Sequence, residues 1–193
     1  MIWISLALAG EADDLAARVA TTCGDPYTMA ELRFTFVVEV DGVEQVRRTH
    51  DWRPREGTVT VTDGDSSVHL EQLHPYIASE APQQDAIVAY KAFINDSYWL
   101  LAPCKVLDDG VNRSIEDGRL VLTFEEVGLT PGDRYLLRVD ENAHISAWEY
   151  TLEGGKVGAW TWDAPSRHGP LMLSTRRESA EGAVIRFEDV TAR

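Results

Sequence analysis

Cysteine is nearly absent: Cys23 and Cys104 are the only two in 193 residues. They stand far apart, with no CxxC spacing and no histidine beside them, which excludes the usual zinc frameworks. In an oxidising compartment the pair can close a disulfide around a long loop; otherwise they are two buried thiols. Lysine occurs only at Lys91, Lys105 and Lys156, and 18 basic residues face 32 acidic ones, for a net charge of -14. Such a surface repels a phosphate backbone, so nucleic acid is not an expected partner, and no basic patch is available for an anionic membrane. No apolar run is long enough to span a bilayer. No GxSxG, Walker A or GxGxxG motif occurs, and no cofactor is expected.

The N-terminus is short of charge as well. Ile2 to Ala9 is apolar, and Ala7-Leu8-Ala9 before Gly10 fits the small-residue rule for signal cleavage, although no Lys or Arg precedes it. Residues 1–11 therefore read as an abbreviated export signal or N-terminal arm, with a first core-packing strand or helix as the other option. No cysteine follows Gly10, so lipid modification there is not indicated. Residues 12–193 read as one domain, and 44% hydrophobic residues are enough for a sizeable core.

What the chain has is mostly strand. Leu15, Ala16, Val19 and Ala20 form one helical stripe over Ala12–Thr22, closed by Gly24 and Pro26. From Leu32 the apolar period is two: Leu32, Phe34, Phe36, Val38 and Val40 share a face. Asp41-Gly42 turns into a return strand to Trp52, and two further strands follow near Thr58–Thr62 and Val68–Leu73. A second helix is signalled by Pro82, then Ala86, Ile87, Tyr90, Phe93 and Ile94, and runs into Tyr98-Trp99. Lys105 to Asp117 is turn-rich. Strands then follow at Leu120–Val127, Arg134–Asp140, Ile145–Leu152, Val157–Trp162, Leu171–Arg177 and Val184–Val190. The expected fold is mainly β (α+β): about ten strands in a strongly curved antiparallel sheet, an incomplete β-barrel with two helices over its concave side. A closed barrel satisfies the same pattern.

Chemistry is thinly signalled. His50, His69, His74, His144 and His168 make no metal-ligand spacing, and no metal site is expected. His50 and Asp51 are strand neighbours and point to opposite faces. A cleft gathering His50 or His168 with carboxylates would point to a hydrolase. The aromatic set says more. Trp148 and Tyr150 share a strand face, as do Trp160 and Trp162 on the next strand, and the Gly154-Gly155 turn brings the two pairs together. They either line an apolar cavity with a wet rim or pack as ordinary cross-strand pairs.

Two runs then carry a resemblance: Asn95-Asp96-Ser97-Tyr98-Trp99-Leu100-Leu101-Ala102-Pro103, continued by Lys105 and Asp108-Asp109-Gly110-Val111-Asn112, and Val127-Gly128-Leu129-Thr130-Pro131-Gly132-Asp133-Arg134-Tyr135. With His50-Asp51-Trp52 upstream, the chain from about Leu32 to Arg177 resembles an uncharacterised bacterial family similar to the LolA/LolB-like periplasmic lipoprotein carriers. Cys104 departs from that pattern, since a large apolar residue is expected there. The resemblance implies an incomplete barrel covered by helices, a hydrophobic cavity, and the periplasm or cell envelope, with the cytoplasm as the alternative. The function expected is non-enzymatic binding of a lipid, a lipoprotein acyl chain or another hydrophobic small molecule by a monomer. Phe34, Phe36, Trp99, Leu101, Trp148 and Trp160 are the expected cavity lining. The alternatives are an envelope structural or interaction protein with a solid core, and a hydrolase whose site the sequence does not reveal.

Overall fold

In the computed structural model, residues 2–71, 73, 84–124, 129 and 132–193 are described, the first eight of them as backbone only. Pro82, His74, Val127, Gly128, Thr130 and Pro131 lie outside the described residues.

The period-two segment after residue 31 forms the centre of the molecule. Strand β1 (Leu32–Val40) turns at Asp41-Gly42 into β2 (Val43–Arg53), and β3 (Thr58–Asp63) and β4 (Ser66–Leu70) continue the meander. Further on come β5 (Val111–Glu116), β6 (Arg119–Phe124), β7 (Arg134–Val139), β8 (Ile145–Thr151) and β9 (Val157–Trp162), then β12 (Arg176–Ser179) and β13 (Ala183–Ala192). These eleven strands form one antiparallel sheet in the order β4-β3-β2-β1-β13-β12-β9-β8-β7-β6-β5. A separate pair is made by β10 (Ser166–His168) and β11 (Leu171–Leu173). The sheet is curved but not closed: β4 and β5 are its two edges. The expected half-barrel is the observed architecture, and the closed barrel is not.

Two helices cover the concave side. Helix α1 (Ile2–Cys23) packs on β5, β6 and β11; α2 (Gln84–Leu101) packs on β3 and β4. The helical backbone of α1 starts at Ile2 and runs through residue 11 without a break. Its apolar stripe, Ala12, Ala16 and Val19, is buried against Leu120, Leu122 and Leu137. The residues Leu32, Phe34, Phe36, Ile185 and Phe187 are buried with Phe93, Leu100 and Leu101 of α2. Each such side chain contributes about 1.5–3 kcal/mol of burial. Trp99 and Trp160 pack against both clusters and join them.

Two segments differ from the sequence reading. Within the turn-rich stretch, Val111–Glu116 is an edge strand paired with β6 across an Asp117-Gly118 turn in which both residues have positive φ (49° and 72°). Its apolar alternation is broken by Arg113. That guanidinium donates to the carbonyls of Val106 and Val111 and to Asp13 of α1 (2.7 Å), so a charged residue occupies an alternating position. The single strand expected over Leu171–Arg177 is split into β11 and β12. Asp163 accepts hydrogen bonds from the Ser174 hydroxyl and from the backbone N–H groups of Thr175 and Arg176, and holds the bend between them.

Cys23 at the end of α1 and Cys104, in the short 3-10 turn after α2, are joined with their Cα atoms 5.1 Å apart. The bond ties the far ends of the two covering helices to each other.

Candidate functional site

The motif Asn95-Asp96-Ser97-Tyr98-Trp99 lies in α2, and helical geometry sends its side chains to different neighbours. Ile94, Tyr98 and Trp99 face the sheet half built from β6 to β8. There they meet Phe124, Tyr135, Trp148 and Tyr150 across a cleft of about 390 Å³. The rings interlock: Trp99 meets Trp148 edge-on at 4.5 Å between centroids, and Tyr135 stacks on Trp148 at 5.1 Å. Aromatic walls of this kind offer a rigid apolar surface with few rotors to immobilise.

Polar groups sit on the same walls. The Asp133 carboxylate is buried, and it accepts the Glu153 backbone N–H (2.9 Å) and the Tyr135 hydroxyl (3.0 Å). Burial first, and the Asp133 charge second, push the Tyr135 hydroxyl well above its ordinary range, so it stays a proton donor at any physiological pH. Burial does the same for Tyr98. Lys156 also borders the cleft, from the exposed β8–β9 turn. Across that hairpin Tyr150 pairs with Gly158, and its ring folds over the glycine so closely that a Cβ there would overlap it.

Asp96 turns the other way. Its side chain is fully buried, and it receives two hydrogen bonds of 2.8 Å from the Arg48 guanidinium, one of 2.9 Å from Asn95, and a contact of 2.9 Å to His50 Nε2. His50 is itself fully buried and stacks on Phe34 at 4.8 Å. The upstream His50-Asp51-Trp52 stretch and the Asn95–Pro103 run therefore meet through His50 and Asp96, and Trp52 packs against Phe93, just before that run, at 5.6 Å. The neighbour of His50 in sequence, Asp51, pairs with Arg33 instead.

Of the lining residues expected from sequence, Trp99 and Trp148 border the cleft. Trp160 stands behind Trp99, 5.1 Å away, and Phe34, Phe36 and Leu101 are packed into the other core cluster, where α2 fills the concave side. Sequence reasoning missed Tyr98, Phe124 and Tyr135 as walls, and offered Tyr150 only as one of two readings of its strand pair. Tyr98 and Tyr135 had a signal, since each lies within one of the two motif runs.

Catalytic geometry is sparse. His168 contacts the Ser166 hydroxyl at 3.0 Å and the Val190 carbonyl at 3.3 Å, on the exposed β10–β11 hairpin away from the cleft. Among the described residues, neither His50 nor His168 shares a cleft with two carboxylates, and no three metal-ligating side chains converge. No helix among them is long and apolar enough to cross a membrane.

The chain is similar in fold to a LolA superfamily protein from Nitrosomonas europaea. The match covers 94% of this chain and 93% of that one, at 13% identity and a TM-score of 0.48. A porin-like protein from Bacteroides uniformis matches over 83% of this chain and 49% of that one, at 11% identity and a TM-score of 0.28. No family model and no curated protein matches the sequence.

Proposed function

We propose that the protein is a non-enzymatic binder of a small apolar ligand, held between α2 and the β6–β8 half of the sheet. The observation that carries this reading is the aromatic cleft itself. Its volume of about 390 Å³ lies near the lower end of the roughly 300–1,000 Å³ usual for small-molecule sites. A space of that size suits one aliphatic chain or one flat ring system better than a two-chain lipid. Trp99 and Trp148 line it; Phe34, Phe36, Leu101 and Trp160 support it from the packed half of the concave side.

The cell envelope is the compartment that fits this reading. The Cys23–Cys104 linkage persists only where the surroundings are oxidising. A monomer suffices, because both cleft walls come from one chain.

The test is a titration of the purified protein with 1-dodecanol below its solubility limit, following tryptophan emission, alongside mass spectrometry of whatever co-purifies. Saturable change that disappears in Trp99→Ala supports the reading. No change in emission, together with no co-purified apolar molecule, overturns it.

A further inference from the structure

The cleft is not uniformly greasy: among its described lining residues Lys156 is the one cation. In a chain with 32 acidic residues, most surface guanidinium groups are already occupied: Arg33 by Asp51, Arg47 by Glu44 and Glu188, Arg119 by Glu149, Arg134 by Glu116. Lys156 has no acidic partner among the described residues, and it borders the cleft from an exposed turn. An ammonium with no acidic partner among the described residues, on so acidic a surface, offers a counter-ion at the edge of an apolar site.

We infer that the ligand is a single-chain amphiphile with a carboxylate head, its chain between the aromatic walls and its head paired with Lys156. The inference rests on the reading of the cleft as a ligand site and names the ligand class for it. Two features narrow the head group. The buried Asp133 carboxylate belongs to the same cleft and already accepts two hydrogen bonds, so it repels negative charge without needing a donor from the ligand. A doubly charged phosphate head is therefore disfavoured, and a monoanion is favoured at the end of the cleft that carries Lys156. The protonated Tyr135 hydroxyl is committed to Asp133, which leaves Lys156 as the one cation to fix the head's position among the lining residues.

The experiment compares dodecanoate, 1-dodecanol, dodecyltrimethylammonium and dodecyl phosphate, each as monomer, by tryptophan emission at low ionic strength. Wild-type protein is expected to bind dodecanoate about two- to fivefold more tightly than 1-dodecanol, the scale of an exposed ion pair. Raising the salt should shrink that ratio. Lys156→Met should bring it close to one, and Lys156→Glu should transfer the preference to the trimethylammonium probe. Equal affinity for dodecanoate and 1-dodecanol, or a preference that survives Lys156→Met, overturns the head-group assignment while the apolar site stands. Tighter binding of dodecyl phosphate than of dodecanoate overturns the carboxylate. Binding of none of the four overturns the apolar site and this inference together.

Discussion

Arg48 reaches from β2 to α2 and grips Asp96 with two parallel hydrogen bonds of 2.8 Å, while His50, two residues along the same strand face, touches the same carboxylate at 2.9 Å. A carboxylate with no exposed surface has been traded for one fixed helix position, and the helix so fixed carries Tyr98 and Trp99 into the cleft wall.

Breaking that pair should be costly. Asp96→Asn leaves a guanidinium facing a neutral amide inside the protein and is expected to lower stability by about 3–5 kcal/mol. The double variant Arg48→Met, Asp96→Leu removes both charges and should recover most of the loss. Urea unfolding of the wild type, Arg48→Met, Asp96→Leu and the double variant checks this, and additive losses would contradict it.

The disulfide closes a loop of 81 residues. On the chain-entropy model that loop stabilises the folded state by about 4–5 kcal/mol. Reduction, or the variant Cys23→Ala with Cys104→Ala, should lower the urea midpoint with little change in the native circular dichroism spectrum. An unchanged midpoint would mean that the linkage contributes nothing to the fold.

Gly158 is needed because Tyr150 lies across it. Gly158→Val should lift that ring off the β8–β9 hairpin into the cleft and weaken dodecanol binding at least tenfold, with the sheet otherwise intact. The readout is the emission titration beside a thermal melt. Unaltered affinity would show that Tyr150 has another place to go.

Arg177 is another buried charge. It has no exposed surface, lies 3.7 Å over the Trp162 ring, and donates from Nη1 to the Ser174 carbonyl at 2.7 Å. Burial lowers its pKa from the ordinary arginine range to about 9, despite the opposing charge of Asp163. From about pH 9 up to the ordinary arginine range the unfolded chain then binds more protons here than the folded one, so this residue's contribution to stability rises with pH across that window. Arg177→Met should therefore be more stable than wild type at pH 7, by about 1–3 kcal/mol, and the advantage should narrow above pH 9. Paired urea melts at pH 7 and pH 10 decide; an advantage that grows with pH would refute the argument.

The sequence made the architecture legible where one local signal sufficed. Leu32–Val40 alternates cleanly, Asp41-Gly42 marks its turn, and the Trp148/Tyr150 and Trp160/Trp162 pairs mark strands facing a common interior. It hid β5, because Arg113 occupies an alternating position there by satisfying backbone carbonyls that no pattern announces. It hid the His50–Asp96 contact for another reason: the partners are 46 residues apart, and helix-to-strand docking is set by the whole core. Of the six residues expected to line a cavity, two border the cleft. Trp99 and Trp148 stood out as large aromatics, whereas Phe34 and Phe36 looked equivalent to them and are packed in the other core cluster with Phe93, Leu100 and Leu101.

The position of β13 has a consequence for how the molecule assembles. It comes last of the eleven strands in sequence, yet it sits between β1 and β12. The meander β1–β4 and the meander β5–β9 can each zip up from near neighbours, but no strand pairing joins them until this strand slots in between. Until then each half carries a raw edge, β1 on one side and β12 on the other, ready to recruit a stray strand from another molecule. Aggregation during refolding should accordingly be governed by how fast Ala183–Ala192 finds its place, and a peptide of that sequence supplied in excess should compete for the gap.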